Sequence, residues 1–168
     1  MKILIVEDDL EIATLISMHI KKEGMTPLVT HNGSDAYQAI QNEGPSLILL
    51  DIMLPDASGL DMCRKIKTHL KYKQIPIIII SAMSEDSNIV NGLEMGADDY
   101  VAKPFSPKVL MARVKATLRG FGIAEENSLT FCKGGVQLNH NKRSIIVGSR
   151  EIDTTISEYE IFYYLARR

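Results

Sequence analysis

The chain has no excess of basic charge. Its 19 lysines and arginines stand against 21 aspartates and glutamates, for a formal net charge of −2. Recognition of nucleic acid by overall charge is excluded, and any such binding has to be local. Cysteine is scarce: the two present, Cys63 and Cys132, lie far apart in no metal-like spacing, so the expected state is a reduced, cytosolic chain. No apolar run approaches the roughly 18 residues of a membrane span. An apolar strand expected from residue 2 leaves no room for a signal peptide, and the expected location is cytoplasmic, with no membrane partner. No GxxxxGK phosphate loop is present either, which removes the P-loop NTPases. What remains, 45% hydrophobic and 24% charged over 168 residues, is ordinary for a globular protein.

One stretch organises the rest. Leu47-Ile48-Leu49-Leu50, preceded by Gly44-Pro45-Ser46, reads as a strand buried on both faces, and it delivers Asp51 at its carboxyl end. That end is where open α/β sheets bind ligands. A lone aspartate there is usually a turn former, but this one has company. Glu7-Asp8-Asp9 follows Ile3-Leu4-Ile5-Val6, Ser81 follows Ile77-Ile78-Ile79-Ile80, and Asp98-Asp99-Tyr100-Val101-Ala102 leads to Lys103. If these strands lie parallel, carboxylates, a hydroxyl and an ammonium meet at one sheet edge. Asp9 alone reads as an acid favoured at a helix N-terminus.

Between the strands the apolar spacing turns helical. Ile12, Leu15, Ile16 and Ile20 mark a first helix stopped by Gly24, and Met25 to Thr30 a weaker second strand. Further helices carry Ala36 to Ile40, Leu60 to Lys67 with Ser58 as candidate cap, Ile89 to Met95 after an acidic start, and Val109 to Leu118 after Ser106-Pro107. Five strands alternating with five helices predict a parallel, doubly wound α/β domain over residues 1–119. Residues 120–128 read as a polar linker. Residues 129–168 change texture: short strand candidates separated by turn residues suggest an antiparallel meander. Thr155-Ile156-Ser157-Glu158 then has capping-box spacing before a helix that runs to the end of the chain. So little chain encloses little core, and this second domain reads as incomplete.

Taken together, Ile5-Val6-Glu7-Asp8, Leu50-Asp51-Ile52-Met53-Leu54-Pro55, Ile79-Ile80-Ser81-Ala82, Gly96-Ala97-Asp98-Asp99-Tyr100 and Lys103-Pro104-Phe105 resemble the receiver domain of two-component response regulators. The meander and Thr155 to Tyr159 resemble the start of the winged-helix effector of the OmpR/PhoB subfamily. The resemblance implies a flavodoxin-like sheet of order 2-1-3-4-5 with the site at its switch point. It implies Asp51 as phosphoacceptor from a sensor histidine kinase, and Mg²⁺ (or Mn²⁺) held by Glu7, Asp8, Asp51 and the Met53 backbone carbonyl. Lys103 would bond a phosphoryl oxygen, with Ser81 and Tyr100 as the switch pair. The protein would then be a phosphoacceptor, not an enzyme, with at most slow self-dephosphorylation, to which the apolar Met53 and Met83 beside the site would contribute. The fourth helix, fifth strand and fifth helix would form a homodimer face with Asp98, Asp99, Arg113 and Lys115 as ion-pair formers. Ile89 and Val109 stand there where the family often places a charged pair. Promoter DNA would be a partner only for a full-length form. Two rival readings are a phosphorylation-independent dimerisation module and a Mg²⁺-dependent aspartyl-phosphate phosphatase. The second expects another aspartate two residues after Asp51, where this chain has Met53.

Overall fold

The runs that are apolar at nearly every position become the central strands of a sheet. In the computed structural model, Leu47–Asp51 forms β3 and Ile77–Ser81 forms β4, and every residue of both is buried. The structure describes residues 1–121, 123, 128–131, 136–139, 144–148, 150–152, 159, 161 and 162. The chain divides into two units, Met1–Phe121 and Gly122–Arg168.

The first unit alternates strand and helix: β1 (Lys2–Val6), α1 (Leu10–Lys22), β2 (Thr26–Thr30), α2 (Gly33–Glu43), β3, α3 (Gly59–Thr68), β4, α4 (Asp86–Glu94), β5 (Asp99–Ala102) and α5 (Pro107–Gly120). Its sheet has the order β2-β1-β3-β4-β5, and every neighbouring pair is parallel. The order reverses at β1, so the crevice beyond the carboxyl ends of β1 and β3 is the switch point of an open α/β sheet. This is the flavodoxin-like architecture expected above. Each parallel connection needs a crossover helix. One face of the sheet packs through Leu4, Val6, Ile48, Leu50, Ile77 and Ile79 on Ala36 and Ile40 of α2 and Met62, Cys63 and Ile66 of α3. Each such buried aliphatic side chain stabilises the fold by about 1.5–3 kcal/mol.

Local chemistry sets the helix ends. Asp9 caps α1, its carboxylate accepting from the Glu11 and Ile12 amides at 2.8 and 3.0 Å, and Asn32 caps α2 through the Asp35 amide at 2.8 Å. Ser58 and Ser106 occupy N-cap positions but make no side-chain cap bond, so those two helices start without the hydroxyl help expected of them. The fifth strand runs from Asp99 to Ala102. Just before it, the Asp98 carboxylate accepts from the Ile77 amide at 2.8 Å, and just after it the Lys103 amide donates to the Ser81 carbonyl at 2.7 Å. The Lys103–Pro104 peptide bond is cis.

The second unit is an antiparallel sheet of order β6-β7-β8-β9, formed by Ser128–Phe131, Val136–Asn139, Ser144–Val147 and Arg150–Ile152. β6 starts inside the stretch expected to be linker. Tyr159 is helical and fully buried, and it packs with Ile145 and Val136. The Thr155 to Glu158 capping box, Cys132 and the linker residues 124–127 lie outside the described residues.

Candidate functional site

Parallel register brings the ends of β1, β3, β4 and β5 to one edge. Val6 pairs with Leu50, Asp51 with Ile80, and Ser81 with Ala102. Glu7, Asp51, Ser81 and Lys103 therefore come together there. Glu7 is 2% exposed and Asp51 5%, and water does little to screen two carboxylates so placed. Lys103 Nζ donates to Asp51 Oδ2 at 2.6 Å and to Glu7 at 2.8 Å. The ammonium thus bridges both acids. Burial tends to lower its pKa, but the hydrogen bonds and charges of Asp51 and Glu7 more than reverse this and hold it above the ordinary lysine value. Burial pushes Glu7 up to about 7. The Lys103 hydrogen bond pulls it down, and the charge of Asp51 adds to the rise.

Glu7, Asp8 and Asp51 each offer a carboxylate oxygen within 4.8 Å of the others, with Asp8 exposed to solvent. This donor set is all oxygen, acidic and open on one side. It fits a hard divalent cation that keeps several waters. The fourth expected ligand, the Met53 carbonyl, belongs to a residue whose amide donates to Asp51 Oδ1 at 3.1 Å. Met53 is 61% exposed, and Met83 is the other exposed thioether near this edge.

Ser81 is fully buried, and its Oγ accepts from the Met83 amide at 3.2 Å. The Tyr100 ring is buried too, its hydroxyl donating to the Met83 carbonyl at 2.5 Å. Gly92 of α4 makes room for that ring, because a Cβ there would stand 3.1 Å from both Ile79 Cδ1 and Tyr100 Cδ2. Ser81 and Tyr100 are thus linked through one residue, Met83, whose amide serves one and whose carbonyl serves the other.

Several residues expected on the face of α4, β5 and α5 are engaged elsewhere. Asp98 binds Lys67 of α3 at 2.6 Å, because its carboxylate points to the start of β4, away from that face. Lys115 pairs with Glu23 beyond α1 at 2.5 Å, since α5 lies beside α1. Asp99 and Arg113 do form an ion pair, at 2.8 Å, within the one chain. Ile89 is half-buried and packs against the core, whereas Val90, Leu93 and Val109 are the exposed apolar residues there.

Sequence reasoning passed over three neighbours of the site. His31 Nδ1 donates to the Glu7 carbonyl at 2.8 Å. Asp56 reaches the start of α2. Gly59 lies so close to β3 that a Cβ would run into the Asp51 carbonyl oxygen and stand 2.7 Å from Ile52 Cα. The Gly59 contact had a signal, a glycine shortly after a strand end. The other two depend on partners more than twenty residues away in sequence.

Comparison with known proteins agrees with this geometry. A family model described as the response regulator receiver domain matches residues 3–115. The chain is 38% identical to the uncharacterized transcriptional regulatory protein YclJ of Bacillus subtilis, over 99% of this chain and 74% of that protein. It is 36% identical to the transcriptional regulatory protein SrrA of Staphylococcus aureus, over 99% and 70% respectively. Among solved structures, the BeF3-activated N-terminal receiver domain of Klebsiella pneumoniae RstA superposes with a TM-score of 0.67 at 41% identity, covering 71% of this chain and 99% of that one. The BeF3-activated DrrB receiver domain gives 0.64 at 37% identity, covering 70% and 96%.

Proposed function

The chain belongs to the response regulator receiver domain family, and from that premise we propose that it is a phosphorylation switch in which Asp51 accepts a phosphoryl group from a histidine kinase. The observation that carries the reading is the buried bridge of Lys103 to both Glu7 and Asp51 at the carboxyl edge of the sheet. Few other purposes call for two buried acids and a lysine at a switch point with one side open.

An Asp51 carboxylate oxygen attacks phosphorus, a new O–P bond forms, the P–N bond to the donor imidazole breaks, and that nitrogen keeps the electron pair. A carboxylate is a weak nucleophile and the incoming group is anionic, so catalysis here is positioning and charge neutralisation. Lys103 leaves Asp51 Oδ2 for a phosphoryl oxygen as it arrives. The Met53 amide, already on Asp51 Oδ1 at 3.1 Å, keeps the carboxylate oriented. Glu7, Asp8, Asp51 and the Met53 carbonyl would hold Mg²⁺ (or Mn²⁺), which would supply positive charge to offset that of the incoming group. The Ser81 hydroxyl then donates to a phosphoryl oxygen, its turn shifting the Met83 amide it now accepts from, and because the same residue's carbonyl holds the Tyr100 hydroxyl, the signal reaches α4 and β5.

The output of this switch is homodimerisation through α4, β5 and α5, with Val90, Leu93 and Val109 as its apolar part and the Asp99–Arg113 pair beside them. The second unit is the opening of a winged-helix effector of the OmpR/PhoB type, and control of transcription at promoter DNA belongs to a form that has the whole effector. The names of YclJ and SrrA support that reading. Incubation with Mg²⁺ and a small phosphodonor is expected to add the mass of one phosphoryl group to the wild type and nothing to Asp51→Asn. Equal labelling of both proteins would contradict the assignment.

A further inference from the structure

The β3–α3 loop, which carries Met53, is fastened at both ends and in the middle. The Gly59 amide donates to the Ile52 carbonyl at 2.8 Å, Met53 and Ser58 form a bridge, and Leu54 packs against the core. The middle is held by Asp56, which is exposed and has no part in the acidic cluster. Its Oδ1 accepts from the Gly33 amide at 2.7 Å, and its Oδ2 from the Ser34 amide at 3.0 Å and the Ser34 hydroxyl at 2.8 Å. These are first-turn amides of α2 that the helix cannot satisfy itself. The Gly33 amide does most to hold the Asp56 carboxyl below the usual carboxylate range, followed by the Ser34 hydroxyl and amide. The approach is close enough that a Cβ on Gly33 would stand 3.1 Å from Ala57 Cβ and 3.3 Å from Asp56 Oδ1.

The start of α2 is itself tied to the acidic site. Just before it, His31 Nδ1 donates to the Glu7 carbonyl at 2.8 Å, and the Glu7 amide donates to the Thr30 carbonyl at 3.1 Å. On the other side the loop returns to Asp51 through the Met53 amide. We propose that Asp56 is a positioning residue for the acidic site: by clasping the start of α2 it closes a hydrogen-bonded ring from Glu7, through the β2–α2 turn and the β3–α3 loop, to Asp51. The ring fixes the Met53 backbone relative to Glu7 and Asp51. Mg²⁺ demands near-ideal octahedral geometry, so a ligand on a loosened loop loses affinity even though no ligand is removed. The inference rests on the cation reading given above for Glu7, Asp8, Asp51 and the Met53 carbonyl.

The test is calorimetric titration of the whole chain with Mg²⁺ alone, with the Met53 amide resonance followed in parallel. Asp56→Ala is expected to weaken Mg²⁺ binding by roughly tenfold, the lower end for outer-shell partners, and to shift the Met53 amide even before metal is added. Asp56→Asn, which keeps an acceptor oxygen for the α2 amides, is expected to recover most of the affinity. Ile40→Val, in the buried face of α2 and far from its first turn, controls for lost stability and is expected to bind as the wild type does. Unchanged affinity in Asp56→Ala, or an equal loss in Ile40→Val, overturns the clasp while leaving the site standing. Unchanged affinity in Asp51→Asn overturns the site itself, and the clasp with it.

Discussion

Glu7 is the residue whose environment has the most measurable consequence. Its pKa rises from 4.5 to about 7 on folding, chiefly through burial. The folded metal-free protein thus binds this proton more tightly than the unfolded chain does. The sign follows from linkage: this group makes stability fall as pH rises from about 4.5 to about 7. Denaturant titrations without metal are expected to show that slope, and Glu7→Gln is expected to flatten it. A slope of the same size in Glu7→Gln would place its origin elsewhere. Added Mg²⁺ is expected to stabilise most above pH 7, where Glu7 is already ionised and no proton has to be displaced. Cys63 follows the same physics with a different outcome. It is fully buried, and burial pushes its thiol up to about 11, so in a Cys132→Ser background it is expected to resist thiol reagents until the chain is unfolded. Rapid labelling under native conditions would show that α3 opens readily.

Among the elements, two glycines set how closely the helices approach the site. At Gly59 a Cβ would meet the backbone of Asp51 and Ile52, which cannot rotate away. Gly59→Ala is therefore expected to destabilise by more than about 2 kcal/mol and to weaken Mg²⁺ binding, read as a lower thermal midpoint and a higher Kd. At Gly92 the obstacles are side-chain ends, Ile79 Cδ1 and the Tyr100 ring edge. Gly92→Ala gains about 1 kcal/mol of helix propensity against crowding of about 1–3 kcal/mol. The expected result is a modest net loss of stability together with displacement of the Tyr100 hydroxyl from Met83, visible in its ring resonances. Unmoved resonances would mean that α4 shifts in place of the ring.

These elements also mark what the sequence could convey. Strands such as Ile77–Ser81 were legible because burial on both faces leaves an unbroken apolar run, and the run's end places Ser81 at the site. Helix boundaries were legible where glycine or proline punctuates them, as at Gly44 and Pro107. Pairings across the fold were not. Nothing local in Pro55-Asp56-Ala57 shows that Asp56 will seek α2, and nothing in Asp98-Asp99 shows that the first acid turns toward α3 and the second toward α5. An aspartate's partner is fixed by which helix the topology brings beside it. The doublet Asp98-Asp99 reads as one acidic patch, while the fold splits it between two surfaces.

At the scale of the whole molecule, the chain joins a parallel α/β unit to a separate antiparallel sheet, and no helix among the described residues is long and apolar enough to cross a membrane. The proposed dimer face has two of its expected charges paired elsewhere, Asp98 with Lys67 and Lys115 with Glu23, and keeps the exposed Val90, Leu93 and Val109. Association through it should depend more on buried apolar area than on screened charge. The dimer constant is accordingly expected to change by less than about threefold when salt rises from 0.1 to 0.5 M, since that range mainly shortens the screening length. A steep weakening would mean that ion pairs dominate the interface.

The central claim, that Asp51 is the trigger and association the response, is tested most directly by light scattering with intact mass measured before and after Mg²⁺ and a phosphodonor, beside Asp51→Asn. The wild type is expected to be a monomer that gains one phosphoryl group and becomes a dimer, and Asp51→Asn is expected to do neither. A dimer already present in both proteins, with no gain of mass in either, would contradict it.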